Sequence, residues 1–129
     1  MNIYLCGGIQ DLSTAEQTEW RNIATTRLGH LFGIFNPMRR NFRDTELESR
    51  NEIVNLDKKD IIDSDILLVN ATKPSWGTAM EILFANEHNK IVIAFTGKNY
   101  KYTSPWVAYH CTRIVKNLDQ AIEYINEQL

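Results

Sequence analysis

The feature of this chain that most constrains its fold is a regular alternation of short apolar runs with segments of helical patterning. Short apolar runs predict strands that are buried on both faces, and the amphipathic segments between them predict helices that cover a sheet. The order βαβαβαβ(loop)βα predicts a single α/β domain over residues 1–129. We expect it to be doubly wound, flavodoxin- or Rossmann-like, with about five parallel strands and helices on both faces. The runs are Ile3–Cys6, Phe32–Phe35, Ile66–Val69, Ile91–Phe95 and Arg113–Val115.

Capping signals mark where the intervening helices begin. Ser13–Glu16 has the form of a capping box, in which two side chains each bind a free backbone N–H, and Thr45–Glu48 has the same form. A third helix is expected from Thr78 to about His88, and Gly97–Pro105 is predicted to be a functional loop. The side chains expected to face the sheet are Trp20, Ile23, Ala24 and Leu28 in the first helix, Ile53, Leu56, Ile61 and Ile62 in the second, and Leu118, Ala121, Ile122 and Ile125 in the last.

The charge balance and the composition exclude several classes of function. Fourteen Lys and Arg residues against sixteen Asp and Glu residues give a net charge of -2, so a nucleic acid polymer is not expected as a partner. The chain opens directly on a strand and has no apolar run of the ~20 residues that span a bilayer, so we expect a cytoplasmic protein without a membrane partner. Cys6 and Cys111 are expected to be reduced thiols. Because His30, His88 and His110 are isolated, no metal and no cofactor are expected.

One carboxylate, that of Glu81, follows a predicted buried strand at a position suited to a nucleophile. The strand Ile66–Val69 is followed by the turn Pro74–Gly77, and Glu81 is then expected in the first turn of the next helix. Free N–H groups and the positive end of the helix macrodipole keep a carboxylate ionised there. Ligands of parallel sheets also bind beyond the carboxyl ends of the strands. The alternative is that Glu81 only complements the helix dipole.

Other polar residues near this edge of the sheet have both a functional and a structural interpretation. Gly7 and Gly8 form a turn that lets a ligand approach the backbone, although the longer glycine motifs of dinucleotide and P-loop sites are absent. Tyr4 on the first strand is either a core residue or a site residue. Asp57 and Asp60 share a helix face and, taken alone, predict a solvated surface. The basic loop contains Arg39, Arg40 and Arg43. These arginines form either an anion site or an exposed surface.

Five segments of the chain form an ordered set that spans nearly its whole length. They are Ile3–Ile9, Asn36–Arg40, Asp63–Ile66, Pro74–Glu81 and Ser104–Val107. Asp57 stands eight residues before Asp65, and His110 follows the last segment. As a set they resemble the nucleoside 2-deoxyribosyltransferase-like family, which includes deoxyribonucleoside 5′-monophosphate N-glycosidases, and the last segment is similar to the short bacterial and phage branch.

The resemblance implies roles for particular residues. Glu81 matches the family nucleophile. Asp57 matches the carboxylate that handles the base or its leaving-group proton, and Tyr4 matches a tyrosine that orients the nucleophile. Ser75 matches a serine that contacts phosphate in the monophosphate-cleaving members, and Ser104 falls near a position that reaches into the neighbouring subunit's site. The other expected substrate contacts are Gly7, Gly8, Arg39, Gly77 and Trp106.

Two departures from the family pattern bear on the substrate. The monophosphate-cleaving enzymes have a Ser and an Arg in the first glycine turn, where this chain has Gly8 and Gln10, and this weakens phosphate recognition there. The transferases have an acidic residue near the position of Ser75, which weakens the assignment to them. The backbone at Gly77 can hold sugar hydroxyls or a phosphate. Trp106 either stacks on the base or has a core or interface role.

The expected function is cleavage of the N-glycosidic bond of (deoxy)nucleosides through a covalent glycosyl-Glu81 intermediate. The 2-deoxyribosyl group then passes to another nucleobase or to water. One alternative is a (deoxy)nucleoside 5′-monophosphate N-glycosidase, and another, of a different class, is a non-catalytic nucleotide-binding module. The expected partners are a small-molecule nucleoside or nucleotide and a nucleobase. Because so small a sheet leaves little room for a closed pocket, we expect a homo-oligomer, a dimer or higher, whose site is completed by the neighbouring subunit.

Overall fold

A computed structural model describes residues 1–9, 12–97 and 103–129 of the chain. Strands and helices alternate along these residues in the predicted manner. The elements are β1 (Asn2–Gly7), α1 (Thr14–Leu28), β2 (Gly33–Phe35), α2 (Arg50–Ile62), β3 (Ile66–Asn70), α3 (Trp76–Glu87), β4 (Ile91–Phe95), α4 (Pro105–His110), β5 (Arg113–Val115) and α5 (Leu118–Gln128), with a short 3₁₀ helix at Pro37–Arg39.

The strands form a parallel five-stranded sheet in the order β2-β1-β3-β4-β5. This confirms the predicted fold class. From β1 the chain first adds β2 on one side and then adds β3 on the other, so the direction of winding reverses between β1 and β3. Such a reversal opens a crevice beyond the carboxyl ends of the two strands. The pairing of β1 with β3 runs from Ile3–Ile66 to Gly7–Asn70, so these carboxyl ends lie side by side.

The alternation of side chains along β1 divides the core into two layers. Ile3 and Leu5 point to the face that α1 and α5 cover. Tyr4 and Cys6 point to the opposite face, where α2 and α3 pack. Because successive strand residues face opposite sides, two residues that are two positions apart on β1 always share a layer. Tyr4 and Cys6 therefore lie under the helix that carries Glu81.

The first capping box forms as predicted, but the inward face of α1 differs from the prediction. Ser13 Oγ accepts the N–H of Glu16, and the Glu16 carboxylate accepts the N–H of Ser13. Ile23 is exposed, however, and the polar residues Gln17 and Arg21 are buried in the stripe that continues through Ala24 and Leu28. The apolar pattern misplaces the stripe because both polar side chains bind backbone carbonyls of other segments, which apolar periodicity does not detect.

The second predicted capping box does not open a helix. Thr45 Oγ1 donates to the carbonyl of Phe42 instead, just after Asp44 adopts a left-handed backbone with φ 69°. Helix α2 begins only at Arg50 and its first turn has no side-chain cap. Ile62, which we expected to face the sheet, is exposed at the end of this helix.

The other helix boundaries also depart from the prediction. Helix α3 begins at Trp76 rather than Thr78. Helix α4 is absent from the sequence-based prediction, which gives a loop over Gly97–Pro105, and residues 98–102 of that loop lie outside the described residues. Pro105 at the first helical position and Ser104 as the N-cap explain why α4 begins where it does, and the short length of this helix explains why periodicity misses it.

Candidate active site

The candidate active site lies at the carboxyl ends of β1 and β3, where the winding of the sheet reverses. Helix α3 follows β3 directly and brings Glu81 over Tyr4 and Cys6 of β1. Helix α2 brings Asp57 to the same cluster. Three elements that are distant in the sequence therefore supply the carboxyl groups and their hydrogen-bond donors.

Two donors from β1 hold the two carboxylate oxygens of Glu81. Tyr4 Oη donates to Oε2 at 2.5 Å. The Cys6 thiol donates to Oε1 with an S···O distance of 3.8 Å. Because each oxygen has its own donor on the same strand, the plane of the carboxylate is fixed relative to β1. From the sequence, Tyr4 is paired with Glu81 only through the family resemblance, and Cys6 is expected to be a reduced thiol with no role in the site, so this second donor is missed.

The position of Glu81 within α3 corrects one expectation. Since the helix begins at Trp76, Glu81 lies in its second turn rather than its first. Burial raises the pKa of Glu81 to about 7, and the negative charge of Asp57 adds to this effect, while the hydrogen bond from Tyr4 and the charge of Arg21 oppose it. From the sequence we expected a carboxylate that the helix dipole keeps ionised. In the structure, Glu81 is instead a carboxyl group that changes its protonation state near neutral pH.

Tyr4 and Cys6 remain neutral donors. Burial, and after it the charge of Glu81, raises the pKa of the Tyr4 hydroxyl and of the Cys6 thiol well above their usual ranges. Both groups therefore hold their protons more tightly than a free tyrosine or cysteine does. They can bind and orient Glu81 as neutral donors.

Asp57 is the second carboxyl group of the cluster. Burial raises the pKa of Asp57 to about 6, whereas the positive charge of Arg40 lowers it. Arg40 Nη1 lies 3.5 Å from Asp57 Oδ1, and a quarter (25%) of the Asp57 side chain is exposed. A carboxyl group with a pKa near neutrality can both donate and accept a proton during a reaction. The solvated surface that the charge pattern suggests for this residue is wrong.

Next to Asp57, two of the loop arginines bind the buried carboxylate of Asp60. Arg39 Nη2 binds both oxygens of Asp60, at 2.9 and 2.7 Å, and Arg40 Nη2 binds one of them at 2.7 Å. The structure therefore places Arg39, an expected substrate contact, in an ion pair. Asp60 itself is not among the predicted site residues. A sequence signal could have indicated Asp60. It lies three residues after Asp57 on the same helix face, and an Arg-Arg pair is available in the preceding loop.

The glycine turn after β1 is tightly packed by the protein itself. A Cβ on Gly7 would lie 2.9 Å from the Trp20 ring and 3.3 Å from Asn70 Cβ, and a Cβ on Gly8 would lie 3.1 Å from Leu12. Packing alone thus requires glycine at the first position. A Cβ on Gly8 would also lie 3.7 Å from Ser75 Cβ, so this turn and the start of α3 are neighbours.

The start of α3 combines a side-chain cap with open space. Ser75 Oγ accepts the N–H of Thr78 at 3.3 Å, which leaves its own proton free to be donated. A Cβ on Gly77 would meet nothing within 4 Å. Thr78 Oγ1 is buried and has no hydrogen-bond partner among the described residues. Backbone N–H groups at a helix start suit an anion or a hydroxyl-rich ligand.

Ser104 and Trp106 lie on α4, to one side of the Glu81 cluster. Ser104 Oγ caps α4 by accepting the N–H of Trp106 at 3.2 Å. The Trp106 side chain is exposed and stacks on His110. Together with Met80 and Leu83 it lines an apolar groove of about 250 Å³ between α3 and α4. Neither Ser104 nor Trp106 is a hydrogen-bond partner of Glu81 in the single protomer.

The described ranges contain no group of three or more His, Cys, Asp and Glu residues that could hold a metal ion. Over the same ranges, none of the helices combines the length and the apolar character needed to cross a membrane.

Comparisons with known proteins agree with this architecture. A family model described as nucleoside 2-deoxyribosyltransferase matches residues 3–127. No curated protein sequence matches the chain. A solved 2-deoxyribosyltransferase from Bacillus psychrosaccharolyticus is 20% identical, with 96% of this chain and 92% of that chain covered and a TM-score of 0.75. The CMP N-glycosidase BcmB from Clostridium botulinum is 15% identical over 100% of both chains, with a TM-score of 0.69. A 2-deoxyribosyltransferase from Leishmania mexicana is 15% identical over 99% of both chains, with a TM-score of 0.64. At these identities the structural likeness shows a shared fold.

Proposed function

The chain belongs to the nucleoside 2-deoxyribosyltransferase family, and on that premise we propose that it cleaves the N-glycosidic bond of (deoxy)nucleosides with Glu81 as the nucleophile. Family membership supports an enzyme of the deoxyribosyltransferase or N-glycosidase kind, acting on nucleosides or nucleotides. The observation that carries the finer proposal is the Glu81 carboxyl group itself. It is held by Tyr4 at 2.5 Å, and a second carboxyl group, that of Asp57, lies close enough to raise its pKa.

The first step forms a covalent bond to the sugar. An oxygen of ionised Glu81 attacks C1′, the C1′–N bond breaks, and the base leaves with a proton from Asp57. The positive charge that develops at C1′ in the transition state is stabilised by the adjacent carboxylate. Tyr4 and Cys6 hold the carboxylate in place, so little reorganisation is needed when it attacks.

The second step releases the sugar. A ring nitrogen of an acceptor base, or the oxygen of a water molecule, attacks C1′, and the bond between C1′ and Glu81 breaks. The proton of the acceptor passes to Asp57, so that both carboxyl groups return to their starting states. Transfer and hydrolysis differ only in the acceptor, and we propose transfer to a base as the primary reaction.

The pKa values of the two carboxyl groups support a shared proton. The reaction needs ionised Glu81 and protonated Asp57, yet the pKa is about 7 for Glu81 and about 6 for Asp57. In the free protein the shared proton therefore favours Glu81. Moving it to Asp57 before the reaction costs about 1.4 kcal/mol for each pKa unit by which Glu81 exceeds Asp57, so the productive state is the minor singly protonated form. A pH–rate profile with limbs near these two values is expected.

A second candidate function is hydrolysis of a (deoxy)nucleoside 5′-monophosphate. The start of α3 supports it, because Ser75 can donate its hydroxyl proton and the space at Gly77 is open beside the N-terminal amides. The likeness in fold to a CMP N-glycosidase is also consistent with it. The arginines support it less, since Arg39 and Arg40 bind Asp60 and Arg43 binds Thr14 and Gln17.

One experiment tests these functions together. The protein is incubated with a panel of nucleosides and 5′-monophosphates, with and without acceptor bases, and free base, exchanged nucleoside and peptide adducts are measured by mass spectrometry. We expect base exchange and a mass increase on the peptide that contains Glu81. Hydrolysis without exchange would exclude transfer. Equal rates with a nucleoside and its monophosphate, unchanged by Ser75→Ala, would exclude the second candidate function.

The remaining alternative is a non-catalytic nucleotide-binding module. It predicts that nucleosides or nucleotides bind, as measured by calorimetry, while none is turned over. It also predicts that binding is unaffected by Glu81→Gln. Accumulation of the sugar adduct on Glu81 would exclude this alternative.

We also propose that the site is completed by a second copy of the chain. The α3–α4 apolar surface, made of Trp76, Met80, Trp106 and Tyr109, is strongly exposed in the protomer, and Trp76 is 90% exposed. Clusters of exposed aromatic residues of this kind are typical of interfaces between proteins. Ser104 lies at one end of α4, next to this surface.

Light scattering with size-exclusion chromatography measures the oligomeric state, and Met80→Lys is expected to lower it. Mixing inactive Glu81→Gln with a Ser104→Ala variant of reduced activity tests whether the site is shared. Recovery of activity in mixed oligomers is expected if one subunit supplies Glu81 and the other supplies Ser104. A monomeric wild-type protein with full activity would exclude a shared site.

A further inference from the structure

Arg21 is the largest completely buried side chain among the residues that the structure describes, and it lies on α1, behind the candidate active site. Its three donor groups bind backbone carbonyls: Nη2 binds Gly7 at 3.0 Å, Nη1 binds Gln17 at 2.5 Å and Nε binds Leu5 at 3.4 Å. The guanidinium also lies over the Trp20 ring, 4.8 Å from its centroid. Because a guanidinium stays charged in proteins and burial of a charge is costly, such a placement calls for a physical reason.

The pairing of the strands explains why these carbonyls are available. The carbonyl of Met1 accepts the N–H of Gly33 at the start of β2, and the carbonyl of Asn2 accepts the N–H of Asp65 just before β3. Carbonyls of odd-numbered residues in β1 therefore point towards β2, since successive peptide groups of a strand alternate in direction. Because β2 pairs with β1 only as far as Tyr4, the carbonyls of Leu5 and Gly7 have no strand partner there, and Arg21 supplies their donors.

The same segment of β1 separates Arg21 from Glu81. Cys6, whose thiol donates to Glu81 Oε1, stands between the two residues whose carbonyls bind Arg21. The guanidinium and the carboxyl group thus contact opposite sides of one three-residue segment. In agreement with this, the positive charge of Arg21 lowers the pKa of Glu81. Burial lowers the pKa of Arg21, and the negative charge of Glu81 raises it.

Within the described ranges, the other titratable groups around Glu81 do not supply a positive charge of this kind. From β1 they are Tyr4 and Cys6, which stay neutral, and from α2 the nearest is Asp57, which is acidic. Strands β3 and β4 contain no titratable residue. On α4, His110 stacks on Trp106 at the surface. Arg40 of the basic loop is paired with Asp60.

We propose that Arg21 is a positioning residue for the nucleophile. Its guanidinium fixes the end of β1 from which Tyr4 and Cys6 bind Glu81, and its charge favours the ionised carboxylate that attacks the sugar. This inference rests on the proposed role of Glu81. A purely structural arginine would hold the same carbonyls but would leave the ionisation of Glu81 unchanged, and this difference makes the proposal testable.

The direct test is the pKa of Glu81, measured by ¹³C NMR on protein labelled at the Glu side-chain carboxyl carbon, with Glu81→Gln used to assign the signal. Arg21→Gln removes the charge and is expected to raise the pKa of Glu81 by about one unit. Arg21→Lys keeps a charge and is expected to leave this pKa closer to the wild-type value than Arg21→Gln does. The matched control is Arg27→Gln on the same helix, where the arginine is paired with Asp119 at the surface, and it is expected to change nothing. A folded Arg21→Gln protein with the wild-type pKa at Glu81 would overturn the proposal.

A second measurement uses the wild-type fold and remains informative if Arg21→Gln does not fold. The Nε–H signal of Arg21 in a ¹⁵N-correlated NMR spectrum is expected to shift with pH at the midpoint of Glu81, and this shift is expected to vanish in Glu81→Gln. The signal of Arg27 serves as the internal reference. An Arg21 signal that does not respond to the Glu81 titration would contradict the electrostatic role.

Kinetics then separate this inference from the proposed function. In Arg21→Gln the basic limb of the kcat/KM profile, which is set by loss of the last proton from Glu81, is expected to move to higher pH by the same amount as the NMR pKa. Turnover is expected to fall about tenfold below the wild-type midpoint, with little change above both midpoints. If the NMR coupling is present but wild-type protein turns over no nucleoside or nucleotide, the proposed function fails while the electrostatic coupling stands.

Discussion

Glu81 and Asp60 are two acidic residues on the same side of the sheet, and their surroundings are opposite. Neutral donors, the Tyr4 hydroxyl and the Cys6 thiol, bind Glu81, and burial raises its pKa to about 7. Two guanidinium groups, those of Arg39 and Arg40, bind Asp60. Two guanidinium groups compensate the charge of Asp60 and hold it in an ion pair, whereas the neutral donors orient Glu81 and leave burial free to raise its pKa. The comparison shows that the partners of a carboxyl group decide whether its burial is compensated by opposite charge.

The largest effect on turnover is expected from removing the carboxyl group of Glu81. Glu81→Gln keeps the shape of the side chain but removes the proposed nucleophile, so turnover is expected to fall by roughly 10⁴-fold or more. Glu87→Gln, on the exposed side of the same helix, is the matched control and is expected to keep wild-type turnover. The measurement is base release at saturating substrate. Turnover of Glu81→Gln within tenfold of the wild-type value would show that Glu81 has no covalent role.

The next largest effect on turnover is expected at Asp57, which shares its partner Arg40 with Asp60. Asp57→Asn cannot donate a proton to the leaving base, and turnover is expected to fall about 10²- to 10³-fold. The loss is expected to shrink for substrates whose base leaves readily without protonation. Glu52→Gln, an exposed change on the same helix, serves as the control. An equal loss for good and poor leaving bases would contradict the role of Asp57 as a general acid.

Asp60, the second residue of the comparison, is expected to affect the stability of the fold. Asp60→Asn leaves Arg39 and Arg40 without their shared carboxylate, and the free energy of unfolding is expected to fall by about 2–4 kcal/mol. The comparison variant is Asp63→Asn, which breaks the exposed pair with Lys59 and is expected to cost less than about 0.5 kcal/mol. Urea denaturation measures both. Equal effects of the two variants would show that the Asp60 cluster is not a structural ion pair.

The smallest effect is a dependence of stability on pH. The pKa of Glu81 is about 7 in the fold against an ordinary value of 4.5, so between these values the folded state holds a proton that the unfolded state has lost. Stability is therefore expected to fall as the pH rises from about 4.5 to about 7, and Glu81→Gln removes this contribution. At pH 8 the variant is expected to be more stable than the wild type, because a buried glutamine stays neutral whereas Glu81 must ionise. A variant that is less stable than the wild type at pH 8 would contradict the raised pKa.

Predictions from the sequence succeed where the signal is local and fail where it depends on distant partners. The capping box at Ser13 is local, and it forms. The Thr45 capping box has the same Ser/Thr-x-x-Glu pattern but does not open a helix, because the preceding backbone at Asp44 turns the chain. Gln17 and Arg21 are buried on a face that apolar spacing assigns differently, because their polar ends reach carbonyls in other segments. The family resemblance names Glu81, Asp57 and Tyr4, but it does not supply their protonation states.

The sequence by itself determined the fold class and the edge of the sheet at which the candidate site lies. The period of apolar residues and the strand–helix order are properties of neighbouring residues, and they suffice to predict a parallel sheet with ligands beyond its carboxyl ends. Only the tertiary structure decided which groups bind Glu81 and in which direction its pKa moves. Tyr4 and Glu81 are 77 residues apart in the chain, and a pKa depends on desolvation and charge summed over all groups that the fold brings near, whatever their place in the sequence.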